Sequence, residues 1–441
     1  MSEFPRREFL HGAAALATAS AVSLAPATAI AASDPNKPLT VGLIGCGGMG
    51  TNHLRNLVQR KEIKLAYVCD VDANRLTSAA KLVETSGQAK PVATKDLRDV
   101  LKDKTVDAVW IATPDHWHSP AAILACDAKK HVYVEKPVSH NVREGRLLIE
   151  AARRNKVVVQ VGTQSRSTAH VMKAIELLRS GIIGDVLVAK AWNSQLRRNI
   201  GHQSASQPPA ELDFDLWQGP APERAYQANL LPGIWRFWYE YGVGDIGNDG
   251  VHDIDIARWG LGMNTHPNTV AALGSKFFFD DDQQFPDNQY CVFEWNGDGK
   301  VGNKRQLIYE QRDWSPYVQE GYKNGNAFYG TKGIMLLGKG EGFKVFGPRN
   351  KLLEEGTGRF DLVAHHQNFI DCVRSGNRPN ADVEEGHLSA SLAHLANIAC
   401  RKNRVLTFDA AKEEFTGEAV YEAPLLTRKY RVGHWSVPNG V

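Results

Sequence analysis

The sequence predicts an α/β fold: an N-terminal doubly wound parallel sheet, followed by an α+β domain with a large, open, mostly antiparallel sheet. Three observations lead there. Residues 40–50 carry a short apolar run straight into Gly45-x-Gly47-x-x-Gly50, and a helical pattern follows through His53, Leu54 and Leu57. Apolar strand-like runs then alternate with helical periodicity as far as about residue 162. Beyond that point the texture changes to short strand-like runs separated by Gly, Asn and Asp turns.

The glycine stretch is the order that a dinucleotide-binding βαβ unit needs. Gly45 permits a tight turn, Gly47 lets the backbone approach a pyrophosphate, and Gly50 lets helix and strand pack closely. Gly48 and Met49 complete the turn, whose free N–H groups at the helix start face phosphate charge. The next strand ends in Asp70, where a carboxylate would accept hydrogen bonds from ribose hydroxyls and repel a 2′-phosphate. NAD is therefore expected rather than NADP.

Helices are expected over 74–83, 120–129 and 142–154, the last with Leu147, Leu148 and Ala151 on one face. Strands are expected over 108–112, 131–135 and 157–161. Ligands of such sheets bind beyond the carboxyl ends of the strands. Two polar motifs fall there: Thr113-Pro114-Asp115-His116-Trp117-His118, read as a loop, and Glu135-Lys136-Pro137. In the second half, a helix over 171–178 and a strand over 186–192 precede an irregular region, 193–244, rich in Pro, Gln and aromatics. Strands are expected over 270–279, 289–295, 306–309, 333–337 and 342–346, and tail helices over 360–373 and 388–400.

At 441 residues with a formal charge of +3, the chain suits two soluble domains, and nothing in it points to nucleic acid or a membrane surface. No metal-ligand spacing stands out, so no metal is expected. The first residues differ. Arg6-Arg7-Glu8-Phe9-Leu10 precedes an Ala-rich stretch ending in Ala27-x-Ala29 and Ala29-x-Ala31, a twin-arginine export pattern with a peptidase site. The expected division is a leader over 1–32, a nucleotide-binding domain over 38–162 and a substrate-binding and oligomerisation domain over 163–441. Export implies a periplasmic destination and a cofactor that travels with the folded protein, bound at about −12 kcal/mol or tighter. Cys46, Cys69, Cys126 and Cys291 read as small buried hydrophobes, with no disulfide framework.

These motifs, with Gly250-x-His252-x-x-Asp255 and the tail Asn368-Phe369…Gly376-Asn377-Arg378-Pro379, resemble the Gfo/Idh/MocA oxidoreductases (glucose–fructose oxidoreductase, inositol dehydrogenase and their relatives). The resemblance implies an NAD(P)-dependent enzyme acting on a sugar or polyol, with a second sheet that covers the nicotinamide and supports a dimer or tetramer. It implies tail helices that pack back toward the first domain. It also implies a cofactor set of Gly45, Gly47, Gly48, Met49, Gly50, Asp70, Thr113, Pro114, His118, Glu135 and Lys136.

Lys136 and His252 are the expected catalytic pair. A cation at a strand end stabilises a developing alkoxide, and an imidazole suits proton transfer near neutral pH. Many members carry Asp where this chain has Asn248, so Asp249 or another neighbour must supply charge, or His252 acts alone, with Asp255 one helical turn on to orient it. Arg166, Trp192, Trp235, Asn248, Asp249 and His252 are the candidate substrate contacts, and Trp238, Tyr239 and Tyr241 could widen a stacking surface. The leading expectation is hydride exchange with a sugar carbinol. The alternatives are redox-neutral glycoside cleavage or epimerisation through a keto-sugar, and a non-catalytic sugar-binding module.

Overall fold

The computed structural model describes residues 37–431. The expected leader lies outside them. Strand β1 (Leu39–Ile44) is six consecutive buried residues, as a central parallel strand must be. It feeds α1 (Gly48–Leu57), then β2 (Ile63–Cys69), α2 (Ala73–Thr85), β3 (Val92–Thr94) and α3 (Leu97–Lys102). The second half of the sheet runs β4 (Ala108–Ile111), α4 (Asp115–Asp127), β5 (His131–Val134), α5 (Val142–Asn155) and β6 (Val159–Val161). All six strands are parallel in the order β3-β2-β1-β4-β5-β6, so the strand order reverses between β1 and β4 and opens a crevice at their carboxyl ends.

The loop expected over 113–118 is instead the first turn of α4, which begins at Asp115 and carries Pro120 inside it. Proline cannot donate to the carbonyl four residues back. That carbonyl, on His116, accepts from the Arg428 guanidinium at 2.6 Å instead, so a tertiary contact replaces the missing helical bond.

After α6 (Ala169–Arg179) the chain lays down β7 (Val186–Ser194), then α7 (Phe214–Gln218) and α8 (Val251–Leu261). Strands β8 (Thr269–Ser275), β9 (Asn288–Trp295), β10 (Arg305–Arg312), β11 (Asn324–Gly330), β12 (Ile334–Gly338), β13 (Gly342–Phe346) and β14 (Leu352–Thr357) follow. Helices α9 (Leu362–Ser375) and α10 (Val383–Lys402) precede the edge strands β15 (Leu406–Asp409) and β16 (Glu414–Thr416). Ten strands form one sheet in the order β14-β13-β12-β11-β7-β10-β9-β8-β15-β16, antiparallel except where β7 lies parallel to β10. The strand expected over 270–279 stops at Ser275, because the Asp287 carboxylate takes the N–H groups of Phe277, Phe278 and Phe279, each at 2.9 Å. Helices α6, α8 and α10 cover one face of the sheet, while Leu273, Tyr290 and Tyr329 stay exposed.

Helix α9 does not join that layer. Its Phe369, Ile370 and Val373 pack against Trp110 and Tyr133 of the first sheet, with the Phe369 and Trp110 rings edge to face at 4.9 Å. Val383 and Ala390 of α10 enter the core on the other face of that sheet.

Candidate active site

A cleft of about 640 Å³ runs along the crevice from the glycine turn to Asn248 and His252 of the second domain. Gly45 holds φ at +91°, a conformation that favours glycine. A Cβ on Gly50 would sit 1.8 Å from the Gly45 carbonyl oxygen, so only glycine brings α1 this close to the turn. Gly48 meets nothing within 4 Å, and no side chain caps the start of α1. The turn thus offers bare backbone to an anionic ligand. Asp70 closes this end, its carboxylate accepting from the N–H groups of Cys46 (2.6 Å) and Asp72 (2.9 Å). Burial pushes its pKa up, against the pull of those N–H groups and of Arg75. Arg75, Lys95 and Arg98 line the cleft beside it, which composition alone did not disclose. The residues fit a dinucleotide.

At the other end, the Lys136 ammonium donates to the Asn248 carbonyl oxygen at 2.7 Å and lies 3.4 Å from its side-chain Oδ1. The Asn248 amide in turn donates to Asp245 Oδ1 at 3.0 Å, and Asp245 is clamped by Arg197. Asn248 stands on a π-helical turn, Ile246–Gly250, that runs directly into α8 and delivers His252 to the same cleft. Gly247 and Gly250 are thus part of packed helix, and a Cβ on Gly250 would strike the Tyr309 hydroxyl at 2.1 Å. Burial, reinforced by the Lys136 and Lys339 cations, lowers His252 to about 3, so its imidazole is neutral at physiological pH. Asp115 also lines the cleft, with its carboxylate accepting from the Val243 N–H at 3.2 Å. Burial lifts it to about 7 against the opposing charges of Lys136 and Arg236.

Glu135 holds the floor between the two ends. Its Oε1 lies 3.0 Å from His53 Nε2 and accepts from Gln164 at 3.2 Å. His53 Nδ1 meets His366 Nε2 at 2.9 Å, and His366 Nδ1 meets Asn56 Oδ1 at 2.7 Å. Burial raises the Glu135 carboxyl, but the hydrogen bond and charge of His53, with Lys136, outweigh it and bring it down to about 2. Glu135 is thus an ionised anchor tying β5 to α1 and α9.

Residues 39–163 match the oxidoreductase-family model for an NAD-binding Rossmann fold, and residues 191–436 match that family's C-terminal alpha/beta domain. The chain belongs to the Gfo/Idh/MocA oxidoreductase family. It is 25% identical over 380 residues to a myo-inositol 2-dehydrogenase of Thermotoga maritima, spanning 83% of this chain and 97% of that protein. An inositol 2-dehydrogenase of Rubrobacter xylanophilus is 29% identical over 373 residues, covering 80% and 89%. Among solved structures, levoglucosan dehydrogenase in complex with NADH superposes with a TM-score of 0.63 at 19% identity, over 84% of this chain and 98% of that one. The aldose-aldose oxidoreductase of Caulobacter crescentus complexed with glycerol does so at 0.65 and 18%, over 84% and 100%. These structures share the fold.

Not every expected site residue of this Gfo/Idh/MocA chain reaches the cleft. Gly50 lies beneath the turn rather than on its surface. Arg166 is buried in an ion pair with Asp255 (2.8 Å) and another with Glu385 (3.0 Å), and it does not line the cleft. Asp255 is committed to that pair and to Ser389 (2.7 Å), so it does not orient His252. Trp192 is fully buried on the face of β7 opposite Ala191 and the helix layer, where it packs with Tyr322 and Ala327 and donates to the Tyr322 carbonyl. Asp249 stands back from the cleft against Gln195, Arg197 and Lys339, and Lys339 and Arg197 outweigh its burial to hold it below the usual carboxylate range. His118 lines the cleft, but both its ring nitrogens face carbonyls, Pro137 O at 2.7 Å and Thr113 O at 2.8 Å, so it staples the two strand-end loops together. Trp238 and Tyr241 are buried in an aromatic cluster behind Trp217, which lines the cleft together with Trp235.

Proposed function

We propose that the protein oxidises a secondary hydroxyl of a sugar or cyclitol with a firmly held NAD. The observation that carries this is the placement of the Lys136 ammonium, the His252 imidazole and the Asp115 carboxyl in one cleft with the glycine turn and Asp70. Bound NAD supplies the hydride acceptor. Gly45, Gly47, Gly48 and Met49 would hold its phosphates and Asp70 its ribose, while Thr113, Pro114 and Glu135 shape the wall beyond. The Asp70 carboxylate at the ribose position supports NAD over NADP.

Lys136 keeps N–H groups free beside its bond to Asn248 and donates one to the reacting oxygen, stabilising the alkoxide as it forms. An imidazole that burial and the Lys136 and Lys339 cations hold at about 3 is a weak base, so His252 serves the hydroxyl as a hydrogen-bond acceptor and leaves the proton to a stronger base. Asp115, near 7, is the stronger acceptor and takes the proton onward.

The twin-arginine pattern supports export of the folded, cofactor-loaded protein to the periplasm. The exposed apolar residues on the open sheet face support a homo-oligomer built on it. Light scattering on the purified protein reads that assembly directly.

Denaturing the purified protein and identifying what it releases by mass spectrometry should give NAD. A panel of sugars and cyclitols should then raise absorbance at about 340 nm, the band of reduced nicotinamide. Lys136→Met should retain NAD yet lose roughly 10²–10⁴-fold in kcat. Normal turnover by that variant would end this assignment. Aglycone release from aryl glycosides without reduction would point instead to redox-neutral cleavage.

A further inference from the structure

Most cations around the cleft already have partners. Arg75 faces Asp72, Arg98 faces Asp96, Arg197 is held by Asp245 and Asp249, and Lys136 donates to Asn248. Arg236 is different. It lines the cleft on the short helical turn Ile234–Phe237, its Nε is buried without a hydrogen-bond partner, and among the described residues no carboxylate pairs with its guanidinium. Its contact is with the Trp235 ring, 5.7 Å from the ring centroid. The charges that reach it are Asp245, Arg197, Asp115 and Asp249, which places it at the Lys136–Asn248 end, away from the glycine turn and its phosphate site.

A half-buried guanidinium left unpaired is costly, and a group of this kind is completed by what it binds. Its planar fork matches a carboxylate through two parallel hydrogen bonds. One unpaired guanidinium balances one negative charge, whereas a phosphate monoester carries close to two and calls for a second free cation. Resting on the sugar-oxidation reading above, we infer that the substrate is a sugar acid, its carboxylate held by Arg236 while a ring hydroxyl meets Lys136. Trp235 beside the guanidinium offers an apolar face to the ring C–H groups of such a sugar.

Titration calorimetry on the NAD-loaded protein tests this without requiring turnover. The probes are paired: D-glucuronate against D-glucose, D-galacturonate against D-galactose, D-gluconate against D-glucitol, with glucose 6-phosphate as the phosphate arm. At least one acid should bind roughly a hundredfold more tightly than its neutral partner. In Arg236→Gln that ratio should fall below about threefold, and Arg236→Lys should restore part of it. Neither change breaks an existing hydrogen bond, and thermal melts with retained NAD would verify the fold. Equal binding of acid and neutral partner, no acid bound at millimolar concentration, or preference for the phosphate would each overturn the inference. So would an Arg236→Gln protein that keeps the ratio, or one that loses NAD affinity in equal measure, since Arg236 would then serve the cofactor. The wider oxidation reading is judged separately, by released NAD and the absorbance change.

Discussion

Asn248 explains itself through its two neighbours. It accepts from Lys136 on one side and donates to Asp245 on the other, and its amide offers both where an ionised carboxylate only accepts. The family's carboxylate at this position would stand about 3.0 Å from Asp245 here. Asn248→Asp should therefore force a shared proton on that pair, lowering kcat/KM by roughly tenfold at neutral pH and shifting its pH profile. Asp115 carries the opposite expectation. Since its carboxyl sits near 7, ionisation produces the base, and the oxidation rate should rise with pH through that value. Asp115→Asn should abolish the inflection and cost on the order of 10²–10⁴-fold in kcat/KM, read from initial rates across pH 5 to 9 in the same protein. Lys136, His252, Asn248 and the glycine turn were legible in the sequence because motif and strand end coincide. Asp115, Arg236 and the His53–His366 pair were not: Asp115 and His53 gain their roles from segments remote in the chain, Val243 and α9, and Arg236 from the fold of its own irregular loop.

The elements show where periodicity informs and where it misleads. Strands β1, β4, β5 and β6 of the first sheet are almost wholly buried and read as apolar runs. Strand β11 is hidden in the sequence because Asn324-Gly325-Asn326 spells a turn, yet it lies inside the sheet between β7 and β12, where the Asn326 amide donates to the Asp253 carbonyl at 2.7 Å. Helix α4 is longer than its periodicity implies for a similar reason, since Pro114 before it and Pro120 inside it resemble breakers. The Arg428 side chain that rescues its first turn also pairs with fully buried Glu144 at 2.7 Å. Arg428→Ala should thus strand a buried carboxylate and destabilise the protein by about 3 kcal/mol, measurable by urea denaturation. The Tyr430 hydroxyl, which also donates to Glu144, keeps the loss from growing further.

For the whole molecule, buried neutral histidines dominate the response to acid. Burial holds His116, His252 and His394 to about 3, and His131, His266 and His365 to about 4. Below their ordinary value near 6.5 the unfolded chain takes up protons that the folded chain refuses. Stability should therefore fall as pH drops from about 6.5 toward 4, each histidine contributing up to about 1.4 kcal/mol per pH unit. Calorimetric melts across that window should show a steadily declining Tm. A flat Tm would mean that these rings are protonated in the native state.

The seating of α9 over Trp110 and Tyr133 sets an order of events during synthesis. A ribosome that has delivered the first sheet alone leaves an aromatic wall wet, and Glu135 has His53 but not His366 behind it. The wall closes only when residues near 373 emerge, after nearly the entire second sheet. A chain cut short before that helix lacks the aromatic cover of its first sheet and half of the network behind Glu135.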